Sequence, residues 1–248
     1  MSLPKALSND PFWNGGQVRL ESGFWDGPEK PRFEATVDGI TKIGVRRPPQ
    51  ADVPRQETRW RGMAKKLDRQ LLDAAENGDV DEIKSLLAQG ASLECRDGNG
   101  YTPLLLASGE GHLDACRMLI DAGSSIEATT LQGASAVDVA ASGGSVDVLG
   151  LLYELGASIN SRDRQGDTPL MSAVGSHQEE TARWLLEHGA DVNSANDDGT
   201  TALHLAHAMS LNYEEEGGSP FIPLLEEHGA DKTIMDKRGR VPTDFPTR

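Results

Sequence analysis

Cysteine is nearly absent from this chain: Cys95 and Cys116 are the only two among 248 residues. Two cysteines build no disulfide framework, which excludes a small secreted scaffold stapled by bridges. Both read as small apolar residues. Aromatic residues make up 5% of the chain. No apolar run approaches the roughly eighteen residues that mark a membrane-spanning helix, so direct insertion into a membrane is not expected. The first thirty or so residues lack the apolar core of a secretory signal. Positive charge is scarce as well, with 24 Lys and Arg against 39 Asp and Glu and a formal net charge of -15. A soluble, reduced protein is the expectation.

The acidity is not spread evenly. Residues 1–66 hold 12 Lys and Arg against 8 Asp and Glu, a net +4, whereas residues 67–248 hold 12 against 31, a net -19. Such an acidic body repels phosphate backbones, so nucleic acid is not an expected partner. A protein with a basic or mixed surface fits better, as does the chain's own basic first quarter.

What is present is a period. Thr102, Ser135, Thr168 and Thr201 follow one another at steps of 33 residues, and so do Gly90, Gly123, Gly156 and Gly189. Gly100, Gly133, Gly166 and Gly199 keep the same step. Within one unit, Thr168 caps a helix and Pro169 takes its first position, where a missing N–H costs nothing. Leu170, Ala173 and Val174 mark one apolar face. A second helix over Glu179 to Glu187 turns Ala182, Leu185 and Leu186 inward and ends at Gly189. Such a helix–turn–helix cannot bury its own apolar faces and needs neighbours. The stretches GYTPLLLASGEGHLDACRMLIDAG, GDTPLMSAVGSHQEETARWLLEHGADVN and GTTALHLAHA resemble the ankyrin repeat, and the resemblance covers roughly residues 67 to 248. It implies an all-α solenoid of paired helices with projecting hairpin loops, an intracellular and chiefly cytoplasmic setting with organelles left open, and a non-catalytic role in binding other proteins.

Taken in order, residues 1–57 form an extended arm rich in Pro, Gly and aromatic residues, and the ankyrin-repeat domain fills 58–248. Seven prolines lie in the first 54 residues, and six of the twelve aromatics lie in the first 60. Trp13, Phe24 and Trp25 are read as anchors for a partner surface, since large rigid rings dominate interface energetics. A hairpin around Asp38–Gly39 within Phe33 to Val45 is a weaker expectation. The helical pattern starts near Thr58. Repeats follow at about 67–99, 100–132, 133–165, 166–198 and 199–238, with a partial cap at 239–248. The third unit replaces Thr-Pro-Leu-His by Ser135-Ala136-Val137-Asp138, and Gly143, Gly144 and Gly150 are expected to make it the softest. In the fourth unit His177 replaces the glycine of the inter-helix turn, which needs a residue tolerant of positive φ. The fifth carries seven extra residues between its helices, and Pro223 calls for a second helix that begins late.

Chemistry finds little purchase. His112, His188, His204 and His228 stand where the resemblance places structural histidines. His204 and His207 share a helical face, with Glu214–Glu216 following, but two histidines without a third fixed ligand are a weak metal signal. No phosphate-binding loop, nucleophile–base pair, metal or cofactor is expected. What remains is a surface. In register, the loop tips present Asn99, Tyr101, Leu131, Gln132, Ala134, Arg164, Gln165, Asp167, Asp197, Asp198 and Thr200. The palm formed by the first helices offers Leu106, Glu110, Asp138, Met171 and His204. The function expected is that of a protein-binding module or scaffold using tips, palm and arm. The alternative is an accessory subunit built into a larger assembly, with the arm threaded over its neighbours.

Overall fold

Side-chain caps mark where five of the helices begin. The computed structural model describes residues 13–14, 17–18, 55–210 and 219–244, and the chain divides into two units, Met1–Glu57 and Thr58–Arg248. In the first unit, two short strands pair antiparallel: β1 (Trp13–Asn14) and β2 (Gln17–Val18), with Trp13 opposite Val18. The proposed hairpin at Phe33 to Val45 lies outside the described residues, as do Phe24 and Trp25.

The second unit is an all-α solenoid. It is entered through α1 (Arg55–Glu76), followed by α2 (Val80–Ala88), α3 (Pro103–Gly109), α4 (Leu113–Asp121), α5 (Ala136–Gly143) and α6 (Val146–Glu154). The stack continues with α7 (Pro169–Gly175), α8 (Glu179–Glu187), α9 (Ala202–Met209) and α10 (Phe221–Glu227), and a 3-10 turn at Pro242–Asp244 ends the described chain. First helices touch in the order α3, α5, α7, α9, and second helices in the order α2, α4, α6, α8, α10.

Each first helix opens on a hydroxyl. Thr102 Oγ1 accepts from Leu105 N at 3.3 Å and Thr168 Oγ1 from Met171 N at 3.4 Å, each followed by proline at the first helical position. Such a cap contributes about 1 kcal/mol. Ser135 and Asp138 depart from Thr-Pro-Leu-His in sequence but not in strength. Ser135 accepts from Asp138 N while the Asp138 carboxylate accepts from Ser135 N at 2.8 Å, a complete capping box. The third repeat therefore keeps a side-chain cap without proline or histidine. In the inter-helix turn, His177 holds a φ of 61° where Gly144 holds 79°, as the substitution of glycine by histidine required.

The apolar faces meet between repeats. Leu170, Ala173, Val174, Ala182, Leu185 and Leu186 are all buried and belong to one core that runs from Leu71 to Leu225. Cys116 lies inside it, and Cys95 is half-buried with its Sγ 3.5 Å from Asp68 O. The helix after the seven-residue insertion starts at Phe221, so Pro223 is its third residue. The first four N–H groups of a helix have no intrahelical partner, and proline is harmless there. No side-chain bond caps this helix, and Ser219 Oγ is buried with no partner among the described residues.

Candidate functional site

A binding surface of a solenoid lies where its loops are held in place and their side chains are not consumed. Every hairpin uses the same clamp. Asp97 Oδ1 accepts from Asn99 N at 2.9 Å and from Tyr101 N at 2.8 Å. Asp163 does the same for Gln165 and Asp167, Asn196 for Asp198 and Thr200, and Asp236 for Arg238 and Arg240. Thr130 fills this place in the third loop, with its hydroxyl accepting from Gln132 N and Ala134 N. These are the local side-chain to backbone bonds for which Asp, Asn and Thr are favoured in turns.

The hairpins are then bonded to one another through their backbones. Leu131 N donates to Asn99 O, Arg164 N to Gln132 O and Asp197 N to Gln165 O, all at 2.9 Å. Lys237 N donates to Asp198 O at 2.8 Å and extends the ladder to the last loop. Asn99, Leu131, Gln132, Arg164, Gln165, Asp197 and Asp198 are exposed, and Tyr101, Ala134, Asp167 and Thr200 are half-buried. Leu131 stands out at 52% exposure. The sequence-predicted tip residues thus share one edge. The bonds that fix this edge run through backbone groups, which leaves most of its side chains outward.

The palm needs correction. Met171 is 2% exposed and His204 is 0% exposed, so neither has a face to offer a partner. Their helical position points between repeats. His204 Nδ1 accepts from Thr201 N at 3.2 Å, and its Nε2–H donates to the Arg240 carbonyl at 3.1 Å, which ties the fifth repeat to the last loop. Asp138 occupies the same position and is 3% exposed. The open palm is formed one residue later by Leu106, Ser172 and Leu205, with Val139 buried at the same position, and beyond them by Gly109, Ser142 and Gly175. Glu110 is exposed there.

Two features escaped the sequence reading. One is a hollow of about 410 Å3 in the palm, where Gly109 and Gly143 face each other between α3 and α5. The other lies on the second helices. His188 stacks on Trp184 with ring centroids 3.8 Å apart, and Tyr153 meets both rings edge-on at 5.8 and 5.3 Å. Tyr153 and the nearby-in-sequence Leu155 are exposed. Aromatics at 153 and 184 fall in different repeats, so only the stack brings them together.

Titratable groups in the described residues are set up for structure. Burial, aided by the charge of Asp68, pushes the Cys95 thiol up to about 12, and burial pushes Cys116 up to about 11. Neither thiol is a thiolate at neutral pH. Burial lowers the His207 pKa, and neither of its ring nitrogens has a hydrogen-bond partner. Burial raises the Asp138 pKa against the bonds from Ser135 and Ser161. Backbone N–H donation from Arg240 holds Asp236 down at about 2. Among the described residues no three of His, Cys, Asp and Glu come together as a metal site, and no helix is long and apolar enough to cross a membrane.

Comparison with known proteins agrees with this geometry. A family model described as ankyrin repeats (3 copies) matches residues 71–163 and again 156–236, together more than half of the chain. Two putative ankyrin repeat proteins of Rickettsia felis are each 44% identical to it over 44 residues. That stretch is 18% of this chain and 70% and 67% of the two relatives.

Proposed function

Since the chain belongs to the ankyrin-repeat family, whose repeats are generally non-catalytic modules for protein–protein interaction, we propose that it binds a protein partner along the hairpin edge and the adjoining palm. The observation that carries this reading is the backbone ladder from Asn99 to Lys237, which orders the hairpins before any partner arrives. A surface ordered in advance loses less conformational freedom on association, so more of its contact energy is expressed as affinity. The contacts assigned are Asn99, Leu131, Gln132, Arg164, Gln165, Asp197 and Asp198 at the tips, with Tyr101, Asp167 and Thr200 beside them and Leu106 in the palm.

The partner is expected to be basic or mixed in charge, because the repeats carry the net -19 and complementary fields steer association. Trp13, Phe24 and Trp25 of the first unit are assigned as additional anchors on that partner. The test is affinity capture from native lysate with the whole chain, with Leu131→Asp combined with Arg164→Glu, and with residues 1–54 removed. Both changes should abolish or sharply weaken the same captured species while far-UV circular dichroism stays that of the parent. Undiminished capture by the tip variant refutes the hairpin edge. A truncated chain that captures normally refutes the role of Trp13, Phe24 and Trp25.

A further inference from the structure

The hollow in the palm exists because side chains are missing where α3 and α5 converge. Gly143, the last residue of α5, lies so close to the Gly109 carbonyl that a Cβ on Gly143 would land on that oxygen. Ser142 beside it is small as well. Towards the loop edge the hollow is flanked by Tyr101 and Leu106, and Glu110 is exposed at its side. Among the described residues no Lys or Arg lines it.

Asp138 forms part of its wall, and its two oxygens are treated unequally. Oδ2 accepts from Ser135 N at 2.8 Å, Ser135 Oγ at 2.6 Å and Ser161 Oγ at 3.0 Å. Oδ1 is buried and has no partner. Among the described residues all of the donors to this carboxylate are neutral, no salt bridge includes it, and the charge that acts on it from nearby is another carboxylate, Asp163. A buried acceptor without a donor is disfavoured, and a buried charge without a counter-charge more so. The exposed Glu110 carboxylate, the Asp138 side chain, an adjoining aromatic ring and no Lys or Arg among the described lining residues suit the hollow to a cation with several N–H donors.

We propose that this hollow receives an arginine side chain of the bound protein, with the guanidinium drawn by the Glu110 carboxylate and the Asp138 side chain and the Tyr101 ring forming part of the wall it enters along. The assignment rests on the protein-binding reading above and names the chemistry that the palm selects. Arginine fits better than lysine for two reasons. Its planar fork serves more than one acceptor while lying against a ring, and it gives up water more readily than an ammonium does. The glycine and serine floor leaves the peptide main chain room to follow the side chain in.

The experiment uses the whole chain, labelled with 15N, and the peptide acetyl-Gly-Ser-Gly-Arg-Gly-Ser-Gly-amide. The same peptide is compared with lysine, citrulline or norleucine at the central position. Saturable shifts of the Tyr101, Gly109 and Gly143 amides are expected with arginine. Lysine should bind roughly threefold more weakly or worse, and citrulline and norleucine should not saturate over the same range. Glu110→Gln changes an exposed side chain and should raise the arginine Kd by roughly threefold. Ser142→Leu fills the hollow and should abolish the shifts, and its circular dichroism reports whether the helices remain. Equal titration by arginine and citrulline, shifts that map to the hairpin tips alone, or an unchanged Kd in both variants overturns the assignment. Any of those results, with partner capture still lost on Leu131→Asp combined with Arg164→Glu, would remove the arginine site and leave the hairpin-edge reading standing.

Discussion

Two glycines of the third repeat should respond to the same substitution with opposite signs. Gly150 sits in the middle of α6, and a Cβ built there meets nothing within 4 Å. Its φ is not left-handed. Gly150→Ala therefore adds helix propensity and removes freedom from the unfolded chain, for a gain of about 0.5–1 kcal/mol. Gly143 is also at an ordinary φ, so propensity alone favours alanine there too, though less at a helix end. The new Cβ, however, would strike the Gly109 carbonyl, with the Gly109 carbon 2.8 Å away and its Cα 3.2 Å away. These are backbone atoms, and no rotamer change relieves them. Moving α5 aside is blocked as well, because α7 packs on its other side. Overpacking of this kind costs about 1–3 kcal/mol, which exceeds the propensity gain. Gly143→Ala should be less stable than the parent and Gly150→Ala more stable. Urea melts followed by far-UV circular dichroism read both, provided that the slope is unchanged so that midpoints compare. A midpoint for Gly143→Ala at or above that of the parent would refute the claim that α3 and α5 meet backbone to backbone.

Other substitutions test other parts of the fold. Leu185 is fully buried, so Leu185→Ala should cost about 2–5 kcal/mol, while Asp198→Ala at an exposed tip should stay within about 0.5 kcal/mol; equal losses in denaturant melts would contradict the register. His207 has a folded pKa below its free value of 6.5. The unfolded chain therefore takes up this proton first, and stability is lost as pH falls below 6.5. The drop in Tm from about pH 7.5 to about pH 5.5 should be smaller in His207→Ala than in the parent, and an equal drop would show that burial of the ring carries no such linkage. Asp236 titrates at about 2 against a free value of 3.8, so its contribution is complete above 3.8 and disappears as pH falls through 2. Asp236→Asn should flatten the acid limb of the stability profile in that window.

Much of this fold could be read from spacing alone. The 33-residue step placed the caps at Thr102, Ser135, Thr168 and Thr201, and an expected positive φ at His177 is present. The palm was not legible to the residue. Leu105 and Leu106 are both leucine, and a helix turns by about 100° per residue, so sequence cannot say which of the two faces the next repeat. That ambiguity put Met171 and His204 on the surface when they lie between repeats. Gly143 looked like a weakness in a helix because a one-dimensional reading sees propensity and not the approach of Gly109. Ser135 and Asp138 departed from the Thr-Pro-Leu-His pattern, yet a reciprocal pair of bonds caps the helix without proline or histidine. The Tyr153, Trp184 and His188 rings were missed because neighbours in space come from helices in different repeats.

The backbone ladder along the hairpins has a mechanical meaning. Four hydrogen bonds, from Leu131, Arg164, Asp197 and Lys237 to the loops before them, join consecutive repeats at one margin by direct polymer-to-polymer links. Elsewhere the repeats meet through apolar side chains, whose contacts carry no directional bond, and through side-chain polar bonds such as that of Asn160 to Gly189 and Asp191. The stack thus has a stiff seam and a compliant back. Flexing it must proceed by fanning the second helices about the hairpin margin, like pages about a binding, and not by stretching that margin. The distance from one tip to the next is then the quantity that thermal motion alters least, and the width of the palm the one it alters most. A ligand reading several tips meets a ruler of fixed gradations, whereas one seated among the first helices can set the bend of the whole stack.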